Sequence, residues 1–251
     1  MQQYFNCAMN IGEEMLVSGA EVHRVEDSIR RMCSSLGALR TDVFIITTSM
    51  VVTVYTENGN LTQTRRISSI GTDIERLHRL NALSRRICNE KIAVEEIERE
   101  FDAIKSGRRY SFFTEVISYM MIAGAFTLFF GGRITDSVVA MLIGASLRFL
   151  VYLSDRAELN KIFTKFFCSL FLSLLAYGAL KIGIIDNIDK VIIGNIMLLI
   201  PGVGLTNGLR DLLMGDSIAG LLRLIEAVLS ALAIAAGYFL FVVLLGGGIA
   251  L

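Results

Sequence analysis

The sequence predicts an α-helical polytopic membrane protein: about five transmembrane helices, the fourth broken at Pro201, behind an N-terminal α+β cytosolic domain. Three observations carry this prediction. Hydrophobic residues make up 53% of the 251 and charged ones only 19%, with a mean hydropathy of +0.58, more apolar and less charged than a soluble domain. The two halves differ, since residues 1–109 hold most of the acidic side chains and residues 110–251 most of the long apolar runs. The single proline, Pro201, interrupts one of those runs. Residues 1–109 and 110–251 are therefore the two predicted domains.

Several classes fall away on composition. Net charge is zero and the pI is about 6.7, so no basic excess points to nucleic acid. Cys7, Cys33, Cys88 and Cys168 form no close pair, which argues against a zinc site and a disulfide framework. The start, MQQYFNCAMN, has neither a basic nor an apolar leader segment, so no cleaved signal is predicted. There is no Walker loop and no GxGxxG, and hence no predicted nucleotide or cofactor site.

In the head, Ala8, Ile11, Met15, Val22, Val25, Ile29, Met32 and Leu36 recur at steps of three and four, interrupted at Ser18. That is one buried helix face. Ser18-Gly19-Ala20-Glu21 reads as a capping box between two helices. Val43–Ile46 and Val51–Tyr55 are β-branched and aromatic, and Asn58-Gly59 predicts a hairpin returning over Leu61–Ile67. Thr72-x-x-Glu75 caps a helix to about Glu90, and Val94, Ile97, Phe101 and Ile104 mark another, ended by Gly107. His23 and His78 lack partners at useful spacing, so no catalytic constellation emerges. Glu21, Arg24, Glu26 and Asp27 read either as a charged helix face or as a regulatory patch.

Five apolar segments follow: Ser111–Phe130, Ser137–Leu153, Phe163–Ile185, Val191–Arg223 and Ala219–Leu245. Lys105, Arg108 and Arg109 flank the first, and Arg156, Lys161 and Lys165 surround the second loop, against Arg133 and Lys190 in the other two. The basic bias puts the head in the cytosol, and an odd span count puts the uncharged tail, residues 246–251, outside. Glu115, Arg148, Arg223 and Glu226 lie at depth, where a charge costs about 3 kcal/mol or more and so tends to face a cavity or partner. Arg148 could pair with Asp155, and Arg223 with Glu226.

The run before Pro201 rises only about 15 Å, roughly half a bilayer core. Asn195 precedes the break, and Gly202 and Gly204 let the chain unwind. Thr206 could cap a second half-helix over Asn207–Met214, with Arg210 and Asp211 on it. Carriers bind carboxylates at such breaks. The predicted substrate contacts are Asn195, Pro201, Gly202, Thr206, Asn207, Arg210, Asp211 and Arg148, and the predicted coupling groups are Glu115, Arg223 and Glu226.

LIPGVGLTNGLRDLLMGDSIAGLLR resembles the signature of the threonine/serine exporter family, and SGAEVHRVEDSI followed by DVFIITTSMVVTV is similar to that family's N-terminal segment. The resemblance runs from about Ile11 to Leu245 and identifies a member of the family. It implies a secondary exporter of small polar metabolites, such as threonine, serine or dicarboxylates including succinate, in a prokaryotic inner membrane. The long form carries a second set of spans in one chain. This sequence resembles the larger subunit of the split form, which implies a small second membrane subunit as partner and leaves self-association open. The alternative is a regulatory or scaffold subunit whose head senses a ligand while the partner forms the path. A membrane hydrolase ranks below both, because no Ser or Cys has a histidine near it in sequence.

Overall fold

The computed structural model describes residues 2–68, 70–90, 92–107 and 110–245. Arg108 and Arg109 of the predicted basic flank, and the tail at 246–251, lie outside the described residues. The chain divides into two compact units, Met1–Arg108 with Gly202–Ile225, and Arg109–Pro201 with Glu226–Leu251. The sequence placed the division at residue 109 alone, whereas residues 202–225 group by contact with the N-terminal unit.

In the first unit, α1 (Gln2–Val17) and α2 (Val22–Ser35) bury the predicted stripe: Ala8, Ile11, Met15, Val22, Val25, Ile29 and Met32 are all at most 1% exposed. The two helices meet across a turn, but not through a capping box. The residue before α2 is Glu21, which makes no side-chain cap bond, and the Ser18 hydroxyl is buried without a partner. Strands β1 (Arg40–Ile46), β2 (Ser49–Thr56) and β3 (Gly59–Arg66) form an antiparallel meander. Met50, Val52 and Val54 of β2 point alternately into the core, the half-buried pattern of a strand packed on helices. The β2–β3 pairing of Thr56 with Gly59 makes Glu57-Asn58 the central pair, so Asn-Gly does not occupy it. Helices α3 (Ile74–Asn89) and α4 (Val94–Lys105) complete the layer, and Asp73 rather than Thr72 caps α3, accepting from Arg76 N at 2.9 Å.

The second unit is helical: α5 (Phe112–Phe129), α6 (Ile134–Arg156), α7 (Lys161–Lys181) and α8 (Ile188–Ile196). α5 and α6 approach closely, because a Cβ on Gly144 would lie 2.8 Å from the Tyr119 carbonyl oxygen, and Ser137 Oγ donates to Gly124 O at 3.0 Å. Asp136, fully buried, accepts from Arg133 N, Asp186 N and Asn187 Nδ2 at 2.9–3.1 Å, which ties the α7–α8 loop to the start of α6. The break near Pro201 begins earlier than the proline: α8 ends at Ile196, a turn follows, and α9 (Gly202–Met214) starts directly after Pro201. Ile200 before the proline is excluded from helix, and the ring's fixed φ suits the first turn of the next one.

α10 (Ser217–Leu245) supplies its first turns to the first unit and the rest to the second. Its 29 residues rise about 44 Å, more than a bilayer core needs. Among the described residues four helices are long and apolar enough to cross a membrane: α5, α6, α7 and α10. The predicted fourth span is not one of them, since α8 has nine residues and α9 thirteen. This is a helical membrane protein with a small three-stranded sheet.

Candidate functional site

The backbone of the α1–α2 turn shows how the signature segment is used. Gly19 has φ +93, open to glycine without strain, and a Cβ there would also strike the Gly71 carbonyl oxygen at 2.7 Å. This conformation exposes four successive carbonyls, and each has a donor. Val17 O accepts from Gly71 N and Ser18 O from Asp73 N. Gly19 O accepts from Asn207 Nδ2 at 3.0 Å, and Ala20 O from Arg223 Nη2 at 2.7 Å. Beyond them, Glu21 pairs with Arg210 at 2.7 Å. Val22 N, an otherwise orphaned donor at the start of α2, donates to Asp211 Oδ1 at 3.2 Å. The turn is thus clamped between the segment before α3 and the α9–α10 hairpin.

The rest of the signature makes that hairpin. A Cβ on Gly220 would lie 2.7 Å from Gly208 O and from Leu212 N, so α9 and α10 touch backbone to backbone. Asp216 N bonds to Asp211 O, and Gly220 N to Asp216 O, which carries the chain from one helix into the next. Ala219 joins the apolar core of the N-terminal unit. Asp211 and Arg223 are 1% and 6% exposed and lie 3.4 Å apart as an ion pair. Nearby on α2, burial and then the charge of Asp216 push the Glu26 carboxyl above its ordinary 4.5, against Arg30.

Of the predicted substrate contacts, the structure therefore brings Asn207, Arg210 and Asp211 together with Arg223, but around residues 19–22 of the same unit. Thr206 does not cap a half-helix. It lies inside α9, its hydroxyl donating back to Gly202 O and Val203 O, because the helix starts at Gly202. Sequence reasoning gave no role to the hairpin glycines Gly208 and Gly220 or to Asp136, and it read residues 18–21 only as a capping box. Asp136 carried one signal, an acidic residue directly before a predicted span.

In the second unit Arg148 pairs with Glu115, not Asp155, its Nε donating at 2.8 Å and its Nη2 also contacting that carboxylate. The guanidinium lies over Phe112 and Tyr119, 5.3 and 6.0 Å from the ring centres, and Nη1 is buried with no acceptor. Asn195 is fully buried; its amide donates to Val191 O while its Oδ1 has no donor. Pro201 closes this unit's segment before α9. Glu226 is exposed and is not the partner of Arg223, which is held by Asp211 and Ala20 instead.

Two relatives resemble nearly the whole chain. One is a threonine/serine exporter of Corynebacterium glutamicum, 24% identical over 242 residues, 92% of this chain and 49% of the relative. The other is pheromone-regulated membrane protein 10 of Eremothecium gossypii, 22% identical over 248 residues, 95% of this chain and 33% of the relative. The chain thus spans about half the length of the first and a third of the second. No solved structure matches. The family described as "Putative threonine/serine exporter" matches residues 6–245, and the chain, whose two family-like motifs meet at the α1–α2 turn, belongs to that threonine/serine exporter family.

Proposed function

We propose that the chain is a subunit of a secondary transporter that exports small polar metabolites of the threonine/serine type, or dicarboxylates, across a prokaryotic inner membrane. The observation that carries this reading is the family match over residues 6–245. The head lies in the cytosol, the C-terminus lies outside with the short α8 segment making the fifth crossing, and a small second membrane subunit supplies the remaining spans. Substrate contacts belong to the second unit. Arg148 keeps a buried Nη1 donor without an acceptor, suited to a carboxylate, and Asn195 keeps a buried Oδ1 acceptor, suited to an ammonium or hydroxyl. Pro201 and Gly202 mark the break between α8 and α9. Asn207, Arg210, Asp211 and Arg223 seat the signature hairpin on the head, and Glu115 and Glu226 are the groups proposed for proton coupling.

The test is export of labelled threonine, serine and succinate from cells expressing the chain with its neighbouring membrane subunit. Arg148→Gln alone leaves Glu115 unpaired, so the double variant Glu115→Gln/Arg148→Gln is made beside it. Both are expected to reach the membrane at parent levels and to lose export. Parent-like export by the double variant would remove Arg148 from the path.

A further inference from the structure

The first unit carries a second polar feature besides the clamped turn: a cleft of about 490 Å³ between α2 and α3. Arg24, Asp27 and Arg31 line it from α2, and Asn81, Ser84 and Arg85 from α3. Three guanidiniums face one carboxylate there, and Asp27 is already paired with Arg31 at 2.8 Å. Cys88, also on the wall, adds no negative charge, since burial raises its thiol above the ordinary 9.0.

The arginines of this unit usually have partners. Arg30, Arg40, Arg65, Arg76, Arg79 and Arg86 each pair with a carboxylate. Among the described residues Arg24, Arg66, Arg85 and Arg99 do not, and two of these, Arg24 and Arg85, line this one cleft. Most of the neutral groups there are otherwise engaged. Ser28 Oγ donates to Arg24 O, Ser84 Oγ to Asn81 O and Asn81 Nδ2 to Leu77 O, each a bond within its own helix. The donors left open are the Asn89 amide and the guanidiniums, whose planar forks match carboxylate and phosphate oxygens two at a time.

We propose that the α2–α3 cleft is a binding site for a small soluble dianion, a phosphate or dicarboxylate compound, held chiefly by Arg24 and Arg85. The excess of two positive charges sets the charge of the ligand, and the volume admits a metabolite-sized molecule. α2 begins at the N–H held by Asp211, so occupancy of the cleft bears on the helix that seats the signature hairpin. The site is independent of what the membrane unit carries.

Calorimetric titration of the purified full chain in detergent tests it, using inorganic phosphate and malonate against acetate at equal ionic strength. Saturable binding of the dianions is expected, weakened roughly tenfold or more in R24Q and in R85Q, since each removes a charge-assisted donor. R99Q, which alters an exposed arginine outside the cleft, is expected to bind as the parent. These surface variants fold, which their unchanged thermal midpoints will show. The proposal is overturned if phosphate and malonate bind no better than acetate. It is equally overturned if R24Q and R85Q match R99Q, or if binding appears only to vesicles of phosphatidylglycerol, which would make the ligand a lipid surface.

Discussion

In the first unit the signature's polar atoms end on other parts of that unit, so Asn207 reaches Gly19 O, Arg223 reaches Ala20 O, and Asp211 takes Val22 N. In the second unit Asn195 is fully buried and Arg148 half-buried, and each retains a buried polar atom with nothing to bond. Buried polar groups are normally paired, and exceptions in native proteins usually have a reason. The contrast separates two roles that a sequence motif alone merges. Polar residues that complete one another hold structure, and those left incomplete inside a membrane unit are where a substrate is to be sought. The first unit is not wholly complete, for Ser18 Oγ, Thr41 Oγ1, Gln63 Oε1, Asp211 Oδ2, Asp216 Oδ2 and Arg223 Nε lack hydrogen-bond partners there, so the contrast rests on where the incomplete atoms lie, inside the membrane unit, and not on their number.

The largest effect should come from breaking that pair. Asp211→Ala leaves Arg223 buried and uncompensated and also frees the Val22 N–H. Removing one partner of a buried pair costs about 3–5 kcal/mol. Asp211→Asn keeps an acceptor for Val22 N and should cost less than the alanine change. Hydrogen exchange at the first turn of α2, with the thermal midpoint of the purified chain, would measure both. A cost below about 1 kcal/mol for Asp211→Ala would mean that the hairpin is not seated as described.

A smaller and pH-dependent effect belongs to Glu26. Its folded-state value lies above the ordinary 4.5, chiefly through burial and then through Asp216. A raised carboxyl contributes stability below its unfolded value and loses that contribution as pH rises through its folded value. The stability of the parent relative to Glu26→Gln should therefore fall as pH climbs from about 4.5 towards neutrality. A difference that stays flat across that window would show that Glu26 keeps its charge at no cost, and that the ground beside the clamped turn is less apolar than the burial suggests.

Much of this architecture is written locally. The α1–α2 stripe, the three strands and the four long apolar helices each follow from residue period or length, and each forms near its predicted place. What local pattern could not supply was the partner of a polar side chain. Arg148 has Asp155 seven residues on in its own helix, but its acceptor, Glu115, lies thirty-three residues away on α5. Asn207, Asp211 and Arg223 bond to backbone atoms about two hundred residues distant, and a backbone carbonyl leaves no mark in a sequence. The break was also misplaced for a local reason. Pro201 looks like the cause of helix termination, whereas a turn has already closed the helix at Ile196, with Leu198 N and Leu199 N bonding three residues back.

The smallest effect on stability decides most about function. Arg210 is 57% exposed on the side chain and its partner Glu21 18%, so the pair is worth about 0–1 kcal/mol. Arg210→Ala should thus leave the thermal midpoint nearly unchanged. Sequence alone makes Arg210 a substrate ligand, and in that case its loss abolishes export regardless of Glu21. The clamped turn gives Arg210 a different task, to hold the hairpin on the head, and then only the complementarity of the two charges matters. Arg210→Glu should impair export by placing two carboxylates together, and Glu21→Arg/Arg210→Glu should recover it. Recovery in the double exchange assigns Arg210 to the clamp. Failure to recover, with the protein folded and in the membrane, returns it to the substrate path, and the division between completed and uncompleted polar groups would then no longer separate structure from transport.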